Sequence, residues 1–226
     1  MPKAPEGSED EVWYVIPSAN RVMANRTLST WKDKGYKIAL YLDPGAESHP
    51  CADLEVQGTY WGWPTAINYL CALPEIRNVK WIVTGGDDML PDPNKTAHQI
   101  AERCTEEFGG TFGVMQPHQR QKHFAGSPWI GVEFRRRMYN GRGPFYPGYN
   151  HFCADVEIKE VAEKLQVFRW FDDLNQAHLH CNWTKDAPPV PGREELLRRW
   201  PADIRLEKLR RSKGWPGAFN VDFKAE

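Results

Sequence analysis

The stretch Gly85-Gly86-Asp87-Asp88 follows directly on Trp81-Ile82-Val83-Thr84, a short apolar run rich in β-branched residues. Such a run reads as a buried strand, and adjacent carboxylates at its exit make a compact negative cluster where α/β sheets bind ligands. Two neighbouring aspartates repel each other, and a cation beside them relieves that repulsion. All-oxygen ligation suits Mg²⁺ or Mn²⁺ better than zinc. Asp, Pro and Asn are also ordinary turn and capping residues, so a cap for the helix that begins near Asn94 is the plainer reading of the same stretch.

Other chemistry-bearing groups lie at the ends of further elements. Val12 to Pro17 reads as a buried first strand, followed by the polar loop Ser18-Ala19-Asn20-Arg21 and a helix carrying Val22, Met23, Leu28 and Trp31 that ends at Lys34-Gly35. Lys37 to Leu42 is a second strand with Asp43 at its tip. Strand, helix and strand within ~30 residues imply a parallel crossover, so the expected fold class is α/β, an open mainly parallel sheet with helices on both faces. Tyr60 to Leu73 reads as a helix and Lys80 to Val83 as the third parallel strand. Thr96 to Phe108 reads as a helix, Thr111 to Met115 as a strand, Asp155 to Leu165 as a helix and Val167 to Phe171 as a strand. After it come His178-Leu179-His180 and the stiff Ala187-Pro188-Pro189-Val190-Pro191-Gly192 connector. Glu194 to Trp200 and Ala202 to Lys213 follow as two basic helical pieces. The organisation expected is a flexible N-terminus over 1–10, one domain over 11–186, and a connector with a helical tail over 187–226.

Composition bounds the rest. With 226 residues, 41% apolar and 26% charged, the chain supports one substantial core. No apolar run is long enough to span a bilayer, and the acidic, polar N-terminus has no secretory pattern, so a cytoplasmic protein with no membrane partner is expected. Five cysteines without CxxC spacing argue for reduced thiols. A net charge of -1 excludes a uniformly basic nucleic-acid coat. It leaves local patches, of which Arg135-Arg136-Arg137 with Arg142 is the clearest. Trp61, Trp63 and Trp129 are candidates for stacking on a sugar or base.

Taken in order, the Pro17-Ser18-Ala19-Asn20-Arg21 loop, Asp43, Gly86-Asp87-Asp88, Cys153-Ala154-Asp155 and His178-x-His180 resemble the nucleotide-sugar-dependent glycosyltransferases of the A-type fold. The similarity is to the family-2-like group, including short soluble phage versions. It covers about residues 12 to 183 and rests on motif order. The resemblance implies that Pro17, Ser18, Asn20, Arg21 and Asp43 hold the nucleoside, and that Asp87 stands in the donor site. It implies that Asp88 binds Mn²⁺ or Mg²⁺ with the help of His178 or His180. The first aspartate of the family's Asp-x-Asp triplet is replaced by Gly86, which removes a ribose contact. Asp155 matches the carboxylate that serves as general base in inverting members, with Glu157 as its competitor. The implied activity is transfer of a hexose or pentose from a nucleotide sugar, UDP-sugar first, to an acceptor hydroxyl. In phage relatives that acceptor includes hydroxymethylated pyrimidines in double-stranded DNA, whose phosphates a basic segment would hold. A glycan or small-molecule acceptor is the other reading. A nucleotidyltransferase would need a Gly- and Lys-containing first loop, which Ser18-Ala19-Asn20-Arg21 is not, and a non-catalytic nucleic-acid-binding module built on segment 118–142 is the alternative from another class.

Overall fold

The structure, a computed structural model, describes residues 10–119, 121–179 and 192–219. His180 and residues 187–191 of the connector lie outside the described residues. A seven-stranded sheet forms the centre, in the order β3 (Leu54–Gln57), β2 (Lys37–Leu42), β1 (Val12–Pro17), β4 (Trp81–Thr84), β7 (Trp129–Gly131), β6 (Val114–His118), β8 (Phe168–Asn175). All pairings are parallel except those of β7, which runs against both β4 and β6. The mainly parallel α/β sheet expected from the sequence is therefore the fold.

The sheet is buried on both faces because β1 and most of β4 are apolar at successive positions. In β1, Trp13 and Val15 point to one core, and Val12, Tyr14 and Ile16 to the other. The first core is closed by α2 (Trp63–Cys71) and α5 (Ala154–Lys164), which contribute Ile67, Leu70, Ile158, Val161 and Ala162. The second is closed by α1 (Arg21–Asp33) and α3 (Ala97–Phe108), through Leu28, Trp31, Ile100 and Cys104. Alternation along one strand thus places helices on both faces.

Several boundaries differ from the sequence reading. The helix expected from Tyr60 starts at Trp63, because Gly62 stands at the N-cap with φ 120°. The strand expected from Thr111 starts at Val114, since Thr111 passes so close over Gly131 that a Cβ there would lie 2.0 Å from its carbonyl oxygen. The two C-terminal pieces are one helix, α6 (Arg193–Ser212), with Pro201 inside it. Short elements that the sequence did not suggest are β3, β7, α4 (Val132–Arg137), and a ribbon of β5 (Met89–Leu90) with β9 (Ala177–His178). No helix among the described residues is long and apolar enough to cross a membrane.

Candidate active site

The exit of β4 is braced from beneath. Six consecutive carbonyls accept hydrogen bonds from remote groups. Thr84 O accepts from Ser127 Oγ (2.6 Å), Gly85 O from Trp63 Nε1 (2.8 Å) and Gly86 O from Tyr14 OH (2.5 Å). Asp87 O accepts from Thr27 Oγ1 (2.7 Å), Asp88 O from Leu179 N (2.7 Å) and Met89 O from Trp31 Nε1 (2.8 Å). Buried carbonyls need such partners, and meeting the need with bulky, packed donors fixes the loop. Tyr14 and Trp31 are themselves stacked, 3.8 Å between ring centroids. The glycines belong here for space: a Cβ on Gly85 would meet Tyr14 OH at 2.9 Å, and one on Gly86 would meet Asp88 Oδ1 at 2.9 Å. Of the tryptophans expected to stack on a ligand, Trp129 is core and donates to Gln176. Trp63 reaches the cleft with its N–H committed to Gly85, and Trp61 is 71% exposed.

The two aspartates on this loop have different work. Asp87 Oδ2 accepts from Ser18 Oγ (3.1 Å), Ala19 N (3.1 Å) and Asn20 N (2.8 Å), so it clamps the loop after β1 to the loop after β4. Burial pushes its pKa up to about 6 against the pull of these hydrogen bonds, with the neighbouring Asp88 charge adding to the rise. Asp88 faces His178, with Oδ2 3.1 Å from Nε2. Pairing of Met89 with His178 in the small ribbon brings them together, and Asp92 secures the approach by accepting from Asn94 N, Lys95 N and Asn175 N. Among the described residues no group of three His, Cys, Asp or Glu side chains gathers as a metal nest. The Asp88–His178 pair offers a carboxylate, the ligand type that suits Mn²⁺ or Mg²⁺, and one imidazole nitrogen, which those ions do not require.

Pro17, Ser18, Asn20 and Asp43 line the same cleft, whose volume is about 1420 Å³. Asn20 also caps α1, its Oδ1 accepting from Met23 N. Arg21, expected beside the nucleoside, is not among the residues lining the cleft and instead donates to Glu47 O (3.4 Å).

Asp155 stands on another wall of the cleft, in the first turn of α5. It is not the N-cap, a position held by Cys153 with φ 69°. Its Oδ1 accepts from Val156 N (2.9 Å), and burial raises its pKa to about 6. Glu157, its competitor, points into the core. It is fully buried and accepts from Tyr139 OH, Tyr149 OH and both Arg210 Nε and Nη2, so its role is structural. Nearby, His151 Nδ1 lies 2.8 Å from Tyr60 OH, and burial lowers the imidazole pKa to about 4. Neither residue carries a sequence signal that separates it from an ordinary core aromatic.

The arginine run lies elsewhere. It sits on α4 after β7, whose Gly131 is in register with Trp81, the first residue of β4, whereas the aspartates follow the last. Arg135 is buried and donates to Ile76 O and Val79 O, Arg136 donates to Asn78, and Arg137 to Glu133. The expectation that Arg135 contacts a nucleic-acid phosphate is thereby corrected: its guanidinium is an internal brace.

No family model matches the chain, and no curated protein does either. Among solved structures, one similar chain is a mutant Drosophila β-1,4-galactosyltransferase 7 in complex with manganese, UDP-Gal and xylobiose. It is 11% identical, with 82% of this chain and 78% of that chain covered at a TM-score of 0.47. Another is a glycosyltransferase involved in glycosylation of the major capsid of PBCV-1, 10% identical, with 72% and 82% covered at a TM-score of 0.41. Overlap this loose carries neither a family nor an activity over to this chain.

Proposed function

We propose that the protein is a metal-dependent glycosyltransferase of the A-type fold that moves a hexose or pentose from a nucleotide sugar, with UDP-sugar the first donor to try, to an acceptor hydroxyl with inversion. The observation that supports this most is the arrangement of one cleft. A braced strand-exit loop presents Asp88 beside His178, and Asp155, held near pH 6 by burial, stands on another wall.

In this reading the loop after β1 and Asp43 seat the nucleoside, and Asp87 keeps that loop in place. Asp88 and His178 would hold Mn²⁺ or Mg²⁺, which supplies positive charge to the departing diphosphate. His180 is an added candidate ligand from the same sequence motif. Asp155 as carboxylate takes the proton from the acceptor hydroxyl as its oxygen bonds to the anomeric carbon and the bond to the phosphate oxygen breaks. The proton ends on Asp155 and the electron pair on the diphosphate. Attack from the face opposite the leaving group inverts the anomeric centre.

For the acceptor, a glycan or small-molecule hydroxyl is preferred over DNA, because the arginine run that suggested DNA follows β7 at the opposite end of the strands from the aspartates and Arg135 is internal. The test is incubation with a panel of nucleotide sugars and Mn²⁺ against simple glycosides, small alcohols and hydroxymethylcytosine DNA, read by mass spectrometry with NMR of the product's anomeric proton. Inverted transfer supports the reading. Absence of turnover with every donor, or a retained configuration, overturns it.

A further inference from the structure

Besides Glu157, the described residues near the cleft hold a second fully buried carboxylate that the proposed chemistry does not use. Asp203 lies inside α6, yet both its oxygens serve a distant turn. Oδ1 accepts from Asn150 N (2.9 Å) and Asn150 Nδ2 (2.9 Å), and Oδ2 from His151 N (2.9 Å) and Phe152 N (2.8 Å). Three successive backbone N–H groups converging on one anion form a nest, here filled from an element about 50 residues away. The turn leads straight into α5, whose N-cap Cys153 makes no side-chain capping bond, so Asp203 fixes the backbone immediately ahead of the helix. One helical face further along, Arg210 grips Glu157 within α5.

We propose that Asp203 is a positioning residue for the acceptor side of the cleft: it fixes the Asn150–Phe152 turn, and through it His151 and the first turn of α5 that carries Asp155. The inference rests on the glycosyltransferase reading for its catalytic consequence, but its structural half stands alone. Packing around the turn leaves little slack, because a Cβ on Gly62 would lie 1.7 Å from Asn150 O and the neighbouring Tyr60 hydroxyl meets the His151 ring. Four donors aimed at one carboxylate also make the chemistry specific. An amide at position 203 would turn an NH₂ group toward N–H donors and lose half the nest.

The test uses the whole chain with Asp203→Asn and, as a milder change, Asn150→Ala, which removes one donor and leaves the carboxylate and the backbone donors. Three quantities are read: UDP affinity with Mn²⁺ by calorimetry, the ¹⁵N ring signals of His151, and kcat/KM for the best glycoside acceptor at saturating donor. Expected for Asp203→Asn are UDP affinity within ~2-fold of wild type, displaced or broadened His151 signals, and at least ~10-fold loss in acceptor kcat/KM, since small misplacements of reacting groups cost that much or more. Asn150→Ala moves the same way by a smaller factor, and decides the question if Asp203→Asn does not fold. Wild-type His151 signals and wild-type acceptor kcat/KM in the folded variants overturn the proposal, even if their melting temperature falls. If wild-type protein binds no UDP and turns over no nucleotide sugar, the functional reading fails, and the His151 signals still decide the role of Asp203.

Discussion

A carboxylate held at about 6 is ionised at neutral pH and still a strong enough base to take a proton in a transition state. Turnover is expected to fall as pH drops through about 6, where Asp155 takes up a proton in the same range as Asp87, and Asp155→Asn should remove its share of that fall. Asp155→Asn should cost on the order of 10² to 10⁴ in kcat while UDP affinity is kept, read by steady-state kinetics and calorimetry. Stability runs the other way. The folded pKa lies above the unfolded 3.8, so the folded state binds this proton more readily. The group therefore weighs against folding above pH 6, and the penalty is relieved as pH falls toward 3.8. Thermal melts at pH 7.5 should show Asp155→Asn no less stable than wild type. At this scale the sequence was informative about carboxylates and silent about their orientation. Asp87 and Asp88 are chemically alike in the chain, and what separates them is the Ser18 hydroxyl with the Ala19 and Asn20 N–H groups, 67 to 69 residues away, that turn Asp87 inward. His151 and Asp203 gave no signal, because their significance lies in partners brought together only by the fold.

Elements long enough to show a pattern were legible, and those too short were not. The strand at Val12–Pro17 and the strand at Lys37–Leu42 lie where apolar runs and their glycine or proline boundaries place them. By contrast Leu54–Gln57 is a half-exposed edge of four residues, Trp129–Gly131 has three, and the ribbon strands that bring His178 to Asp88 have two each. No periodicity can be read over such lengths, and pairing is set by tertiary contact. Pro201 misled for a related reason: proline disfavours a helix interior by removing one hydrogen bond, yet α6 runs through it, with the helix's buried contacts, at Asp203, Glu207 and Arg210, all on the C-terminal side. Glycine positions carry the matching prediction. Gly62 combines φ 120° with contact against Asn150 O, so Gly62→Ala should destabilise the fold by on the order of 3 kcal/mol or more, read by urea unfolding. Gly109→Ala, with open space around it, should cost only the strain of φ 63°.

For the molecule as a whole, the C-terminal helix is a wall of the cleft, with Arg199, Trp200, Ile204 and Glu207 lining it. The basic character that made it read as an appended tail is largely committed to pairing. Arg211 meets Glu160 and Glu207, Arg198 meets Glu195, and Arg210 meets the buried Glu157. Arg210→Ala would leave that carboxylate buried without its counter-charge, at a cost of about 3–5 kcal/mol in unfolding free energy. A joint Glu157→Gln, Arg210→Met change should cost less, because no unpaired charge remains. The most direct test of the whole account is Mn²⁺-dependent release of UDP from a UDP-sugar panel by wild-type protein and by Asp88→Ala at equal folded concentration. The account predicts turnover with at least one donor, abolished by EDTA, restored by Mn²⁺, and lost in Asp88→Ala without loss of fold. Turnover that survives EDTA or the Asp88→Ala change, or no turnover of any nucleotide sugar by the wild type, would contradict it.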